Sequence, residues 1–337
     1  GAVEDTRVLL NLEERNIVDT WATPQVTYTA AGDTRREVEV GGETVTARVQ
    51  PFSETATDAA PPVLINASTR DIDFNGHIDT ILVRYSELVT EAGAPYTVAG
   101  YRDRGLDLNV RYIERGTDSV YTVGEDDLWI DVDDSKTYSV GDVTIDDLGV
   151  VIGDAGTDAN WFATIQLVEA QNPDTGVTPQ LTYVRDDGGV LDAAGNEVVD
   201  GSTDTPIDRA QPVMYALETR DADGNGALDG IYIEFSETVN IQDTNSPGIP
   251  GITVVDQING VTYTPTNANY NGNATSIVLA LREEFTPNNV YYDTGIVPTI
   301  TYDGNGNIRD VTNAAATGSN VLRSQSINDT DMTEAGL

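Results

Sequence analysis

The residues best suited to chemistry stand in TRDIDFNGHID, Thr69 to Asp79, and again in TRDADGNGALD, Thr219 to Asp229. Counted from Asp71 or Asp221, both copies set Asp, Asp, Asn, Gly and Asp at positions 1, 3, 5, 6 and 9. That is the oxygen-ligand rhythm of a calcium loop, with a Gly where the chain must turn sharply. Asp71, Asp73, Asn75 and Asp79 offer side-chain oxygens, and the carbonyl of His77 stands at the seventh position. Asp221, Asp223, Asn225, Asp229 and the carbonyl of Ala227 repeat the set. Position 12, where an EF-hand has Glu, holds Leu82 and Tyr232, so Glu87 and Glu237 are the candidates for a missing carboxylate. A turn rich in Asp, Asn and Gly with no metal is the plainer reading. Two copies at matched spacing, each before the same kind of segment, favour calcium. A third start, at Asp329 and Asp331, has Thr333 and Glu334 where Asn and Gly belong and is incomplete.

The elements that must position these loops are strands. Ile81–Val89 and Ile231–Val239 alternate apolar and polar residues, as a half-buried strand does and an EF-hand helix does not. Helix signals are nearly absent elsewhere. TIQLVEA (164–170), PQLTYVR (179–185), TSIVLALRE (275–283) and PTITYDG (298–304) lie between Gly, Asp, Asn and Pro clusters. The expected fold is all-β, an antiparallel sandwich architecture.

A second repeated half follows each loop-bearing half. TPQVTY (23–28), TPQLTY (178–183) and VPTITY (297–302) each come after an apolar strand ending in acid. Two of them precede a Gly-Asn turn, in LDAAGNEVVD (191–200) and DGNGNIRDV (303–311). The order predicts a partial module at 1–60, full modules at 61–205 and 206–320, and a tail at 321–337. The tail's VLRSQSINDTD (321–331) matches VLINASTRDID (63–73) and reads as the start of a further repeat. A half-sandwich exposes an apolar face and open strand edges. Either the chain is a piece of a longer array, or its first half is an atypical cap, or a neighbour donates the missing strands. The first full module is enlarged by GEDDLWIDVDDSKTYSVGDVTIDDLG (124–149), which reads as a solvated acidic hairpin, with a cation site or contact surface as alternatives.

Composition narrows the function. Acidic residues number 56 against 18 basic ones, a net charge of −38, and Lys136 is the one lysine. A field of that sign repels nucleic acid and anionic membranes, so neither is expected as a partner. It suits high salt, where charges are screened within a few ångströms, or an exterior rich in divalent cations. No apolar run approaches the roughly 20 residues that span a bilayer. There is no Cys, and His77 is the one His. Ser–His–Asp triads, thiolate chemistry and His-based zinc sites are therefore implausible, and no enzyme is expected. Trp21, Trp129 and Trp161 are candidate sugar platforms, although core packing is the more ordinary role of a Trp beside strands. Sequons at Asn66, Asn273 and Asn328 fit a glycosylated surface protein weakly.

The D-x-D-x-N-G-x-x-D loops, together with YSELV (85–89), FSETV (235–239) and LDAAGN (191–196), resemble the Ig-like modules of prokaryotic surface-layer proteins and adhesins. The resemblance covers about residues 61–320. It implies tandem Ig-like β-sandwiches, bound calcium, and a structural or adhesive role. The expectation is an extracellular structural subunit of a surface layer or filament, joined head to tail to copies of itself and stabilised by calcium. An adhesin segment binding carbohydrate or a host surface is the alternative.

Overall fold

The structure, a computed structural model, describes residues 10–12, 20–29, 35–40, 43–48, 51–90, 96–107, 110–113, 127–130, 143–145, 161–185, 189–242, 248–258, 260–266, 270–283, 285–286, 289–290, 294–304, 307–311 and 325–328. Among the described residues every regular element is a strand, so the chain is all-β. None of them forms a helix long and apolar enough to cross a membrane. The incomplete loop start at 329–334 lies outside the described residues.

At the N-terminus β1 (Gln25–Tyr28) pairs with β4 (Phe52–Thr55), and β2 (Arg35–Val40) pairs with β3 (Glu43–Arg48), both antiparallel. The β1–β4 ladder buries little. Tyr28 and Phe52 stack with ring centroids 5.9 Å apart, yet Phe52 stays 45% exposed and Trp21 44%.

The next strands are β5 (Leu64–Arg70), β6 (Thr80–Tyr85), β7 (Tyr96–Val98), β8 (Arg102–Asp107), β9 (Val110–Ile113), β10 (Asp127–Ile130), β11 (Val143–Ile145), β12 (Phe162–Val168), β13 (Leu181–Tyr183) and β14 (Thr203–Asp204). They form one sheet in the order β5-β6-β12-β8 and a second in the order β14-β13-β7. Ile81, Val83, Tyr85, Ile165 and Leu167 from the first sheet meet Tyr96, Val98, Leu181 and Tyr183 from the second in one core. Alternate residues of each strand point to that core because successive side chains leave a strand on opposite faces.

Two details depart from the sequence expectation here. All of β6 is buried, with Leu82 at 1% and Arg84 at 8% exposed, so the polar positions of its alternating pattern do not face water. The acidic insertion is also more than a solvated hairpin where it is described. Its residues contribute β10 and β11 to a β11-β10-β9 sheet in which Val110, Trp129 and Ile130 are buried.

The second two-sheet unit contains β15 (Met214–Arg220), β16 (Gly230–Gln242), β17 (Ile252–Asp256), β18 (Val261–Tyr263), β19 (Asn271–Ala280), the short pair β20 (Phe285–Thr286) and β21 (Asn289–Val290), β22 (Thr299–Tyr302), β23 (Ile308–Asp310) and β24 (Gln325–Asn328). One sheet runs β15-β16-β19 with β23 also on β16, and the other runs β18-β17-β22-β24. Ile231, Ile233, Phe235 and Leu279 face Val254, Tyr263, Ile300 and Tyr302 in a core separate from the first.

The pairing also re-registers the repeat. Val190 N–H donates to the Tyr183 hydroxyl at 3.1 Å, and Ile308 N–H donates to the Tyr302 hydroxyl at 3.3 Å. Leu191 pairs Thr90 as Arg309 pairs Asn240. Asp192 and Asp310 are therefore counterparts. The Gly-Asn turns used to align these halves fall on opposite sides of them. The tail is re-placed as well. β24 lies beside β22 as β14 lies beside β13 and β4 beside β1, so residues 325–328 pair within the unit they follow.

Candidate metal centres

Each loop is shaped by its own carboxylates. Asp71 accepts from Asn75 N–H at 3.2 Å and Gly76 N–H at 2.9 Å; Asp73 accepts from Asn75 N–H at 3.2 Å and its Nδ2 at 3.1 Å. Asn75 Oδ1 takes His77 N–H at 3.0 Å, and Asp79 takes Ile72 N–H at 3.0 Å. The second loop repeats every one of these bonds on Asp221, Asp223, Asn225 and Asp229, at 2.8 to 3.1 Å. Its Asn225 Nδ2 also donates to Glu283 at 3.0 Å. Gly76 and Gly226 adopt φ of +96° and +94°, the left-handed conformation that the sharp turn demands of glycine.

These bonds bring the acids together. One oxygen each from Asp71, Asp73 and Asp79 can lie within 4.8 Å of the others, and Asp221, Asp223 and Asp229 do the same. The donors are hard oxygens with no thiolate or ring nitrogen among them, the set that suits calcium- or magnesium-class ions. Asp79 Oδ1 is covered and has no hydrogen-bond partner, an orphan atom that a cation would satisfy. The side chain of His77 takes no part; it packs edge-on against Tyr215 with centroids 6.3 Å apart. Ala227 is buried directly after the second loop's Gly.

The charges are held at a cost. Burial, followed by the nearby Asp79 and Asp73 charges, pushes Asp71 well above the usual carboxylate range despite the Gly76 N–H that favours its anion. Burial likewise raises Asp79 to about 6, partly offset by the Thr80 hydroxyl and Ile72 N–H. A divalent cation reverses this, because it turns mutual repulsion into shared attraction.

Glu87 and Glu237 do not complete these loops. They belong to two other acid groups, Asp58 with Glu87 and Asp192, and Asp208 with Glu237 and Asp310. A register shift lies close to each Glu. The β5–β6 register shifts between Leu64 and Asn66, and the β15–β16 register between Met214 and Ala216. In the second unit β16 also breaks register with β19 between Glu234 and Val239. The Ser that follows keeps its backbone bond across, Ser86 N–H to Val63 O at 2.8 Å and Ser236 N–H to Val213 O at 3.0 Å. Ser86 Oγ takes Val63 N–H at 2.8 Å and Ser236 Oγ takes Val213 N–H at 3.0 Å, at the point where each unit begins. Sequence reasoning missed Asp58, Asp192, Asp208 and Asp310. A signal was present in D-x-A-x-P-V, which occurs at Asp58–Val63 and again at Asp208–Val213.

Both groups sit at a seam. The Thr20 hydroxyl meets Ser86 Oγ at 2.7 Å, and the Thr175 hydroxyl meets Ser236 Oγ at 2.7 Å. Thr175 also donates to Glu237 at 3.0 Å. The segment carrying Thr175 is tied to the loop at 69–79, since Asp174 N–H donates to Gly76 O at 3.0 Å and Ile78 N–H donates to Asp174 at 2.8 Å. Burial, then the charges of Asp208 and Asp310, raises Glu237 to about 9, and burial with Asp192 and Asp58 raises Glu87. Comparison with protein-family models, curated proteins and solved structures found no match.

Proposed function

We propose that this chain is an extracellular structural subunit of a surface layer or filament, built of tandem Ig-like sandwiches that calcium braces and that assemble head to tail. One observation carries the reading: the same asymmetric contact is made twice within one chain. At both seams a Thr hydroxyl from the preceding segment caps the Ser of a Y/F-S-E motif at 2.7 Å. A contact between unlike surfaces that can be repeated without closing is the kind that generates arrays. Its surfaces differ in cover. The loop at 69–79 is packed against the following unit with only Asp73 exposed, whereas the equivalent loop at 219–229 leaves Ala222, Asp223, Gly224 and Asn225 exposed. A second copy of the chain fits that uncovered end, and the exposed Trp21 and Phe52 mark another surface for it to cover.

Calcium is the preferred ion because the loops are carboxylate-rich and calcium accepts many oxygens in adaptable geometry, whereas magnesium keeps its own water and stricter geometry. The acidic surface supports an exterior with abundant salt or divalent cations. The carbohydrate-binding alternative loses support from Trp129 and Trp161, which are 3% and 8% exposed and have no face to offer a sugar. Sedimentation of the purified chain in calcium and in chelator tests the proposal. Calcium is expected to produce large, reversible assemblies and chelator to dissolve them. A monodisperse monomer at all calcium concentrations and all salt concentrations overturns it.

A further inference from the structure

We propose that each seam between successive units holds its own divalent-cation site, formed by Asp58, Glu87 and Asp192 at one seam and by Asp208, Glu237 and Asp310 at the other. These sites are separate from the two loops and stand whether or not the chain forms a surface layer.

The geometry begins with the carboxylates. Within each trio one oxygen from every residue lies within 4.8 Å of the rest, as in the loops. The three acids come from different places in the chain: the segment leading into a unit, the residues after Tyr85 or Phe235, and a late segment of the same unit that pairs beside them. Chain connectivity alone does not force such a meeting, yet it happens twice. At the first seam the acids are aimed by backbone groups. Asp192 accepts from Ala194 N–H at 2.8 Å, Asn196 N–H at 2.7 Å and Asn196 Nδ2 at 2.7 Å, and Asp58 accepts from Ala60 N–H at 3.1 Å.

The second observation is Glu87 itself. Its residue is 2% exposed, and Oε1 is buried with no hydrogen-bond partner. Among the described residues no Arg or Lys pairs with Asp58, Glu87 or Asp192. The Thr20 hydroxyl favours the Glu87 anion, but it leaves Oε1 buried without a partner beside the charges of Asp192 and Asp58, a costly arrangement for a protein interior. A hard cation bound between the three removes that cost and is the one simple ligand that fits all of them. The preceding segment brings Thr20 or Thr175 to the same Ser-Glu pair. An ion there fixes the end of one unit against the start of the next.

The experiment counts ions on the whole chain. Metal-free protein is titrated with calcium chloride by calorimetry, and bound calcium is measured by elemental analysis after desalting. One ion for each of the four acid groups is expected. Glu87→Gln and Glu237→Gln keep side-chain shape and remove a buried charge, so both variants should fold. Each is expected to lose one bound ion while the loop ions remain, and the double variant to lose two. A second readout separates ligation from packing. In chelator each Gln variant melts higher than the parent, and in saturating calcium it melts lower. An unchanged ion count in the double variant overturns the proposal, as does a melting difference of the same sign with and without calcium. Asp79→Asn, which removes a loop ligand only, shows whether the loops fail independently.

Discussion

Four carboxyls, at Asp71, Asp79, Glu87 and Glu237, are pushed up from their ordinary range, and burial is the leading cause in every case. An acid whose folded pKa is raised binds its proton more tightly in the native state than in the unfolded chain. Its contribution is therefore fully present below the unfolded value of about 4 and is lost as pH rises through the folded value. With Asp79 at about 6 and Glu237 at about 9, the window for the metal-free chain runs from weakly acidic to weakly alkaline. Calorimetry in chelator should show the melting temperature falling between about pH 5 and about pH 9, opposite to the trend of a protein stabilised by salt-bridged carboxylates. Saturating calcium should flatten the curve, because ions displace the protons. A melting temperature that climbs over this range in chelator would sink the account.

Strands carry these residues, and their legibility in sequence was uneven for a physical reason. Ile81, Val83 and Tyr85, or Ile231, Ile233 and Phe235, show the period-two pattern directly, because one sheet face is apolar whichever neighbours the strand has. The loop acids were legible as groups too, since Asp71, Asp73 and Asp79, or Asp221, Asp223 and Asp229, stand close together in the chain. The seam acids were not: Asp58, Glu87 and Asp192 are far apart in the chain, and long-range pairing such as Thr90 with Leu191 sets them side by side. Likewise the tail was aligned with a repeat start, and its pairing with β22 is a long-range contact that local likeness does not reveal. The elements also dictate how the seams respond to mutation. Thr175 is 0% exposed and its hydroxyl bonds both Ser236 and Glu237, whereas Thr20 is half-buried. Thr175→Val should cost about 1–3 kcal/mol through the partners it leaves unsatisfied, and Thr20→Val less. Urea unfolding at fixed calcium measures this, with amide exchange at Ser236 reporting the local loss. Equal, negligible effects at both positions would contradict the seam as drawn.

At the scale of the molecule, a net charge of −38 opposes both compaction and association. Salt weakens that repulsion with a screening length of about 8 Å at physiological ionic strength. Divalent ions held at the acid groups would act differently, because they would remove charge at chosen points. The two loops then have unequal tasks. The loop at 69–79 lies inside the chain, with Gly76 so close to the following unit that an added Cβ would stand 3.2 Å from Val213 Cγ2. The loop at 219–229 offers the equivalent surface to solvent. If assembly repeats the internal contact, disabling the outer loop should block it and disabling the inner loop should not. Asp221→Asn with Asp223→Asn is expected to lose one bound ion, leave metal-free melting close to the parent, and abolish the calcium-dependent rise in light scattering. Asp71→Asn with Asp73→Asn should lose an ion and lower the melting temperature in calcium, yet still assemble at temperatures where it stays folded. Scattering lost equally in both pairs would mean that calcium acts through overall charge alone. Scattering retained in both would place the assembling surface away from these loops.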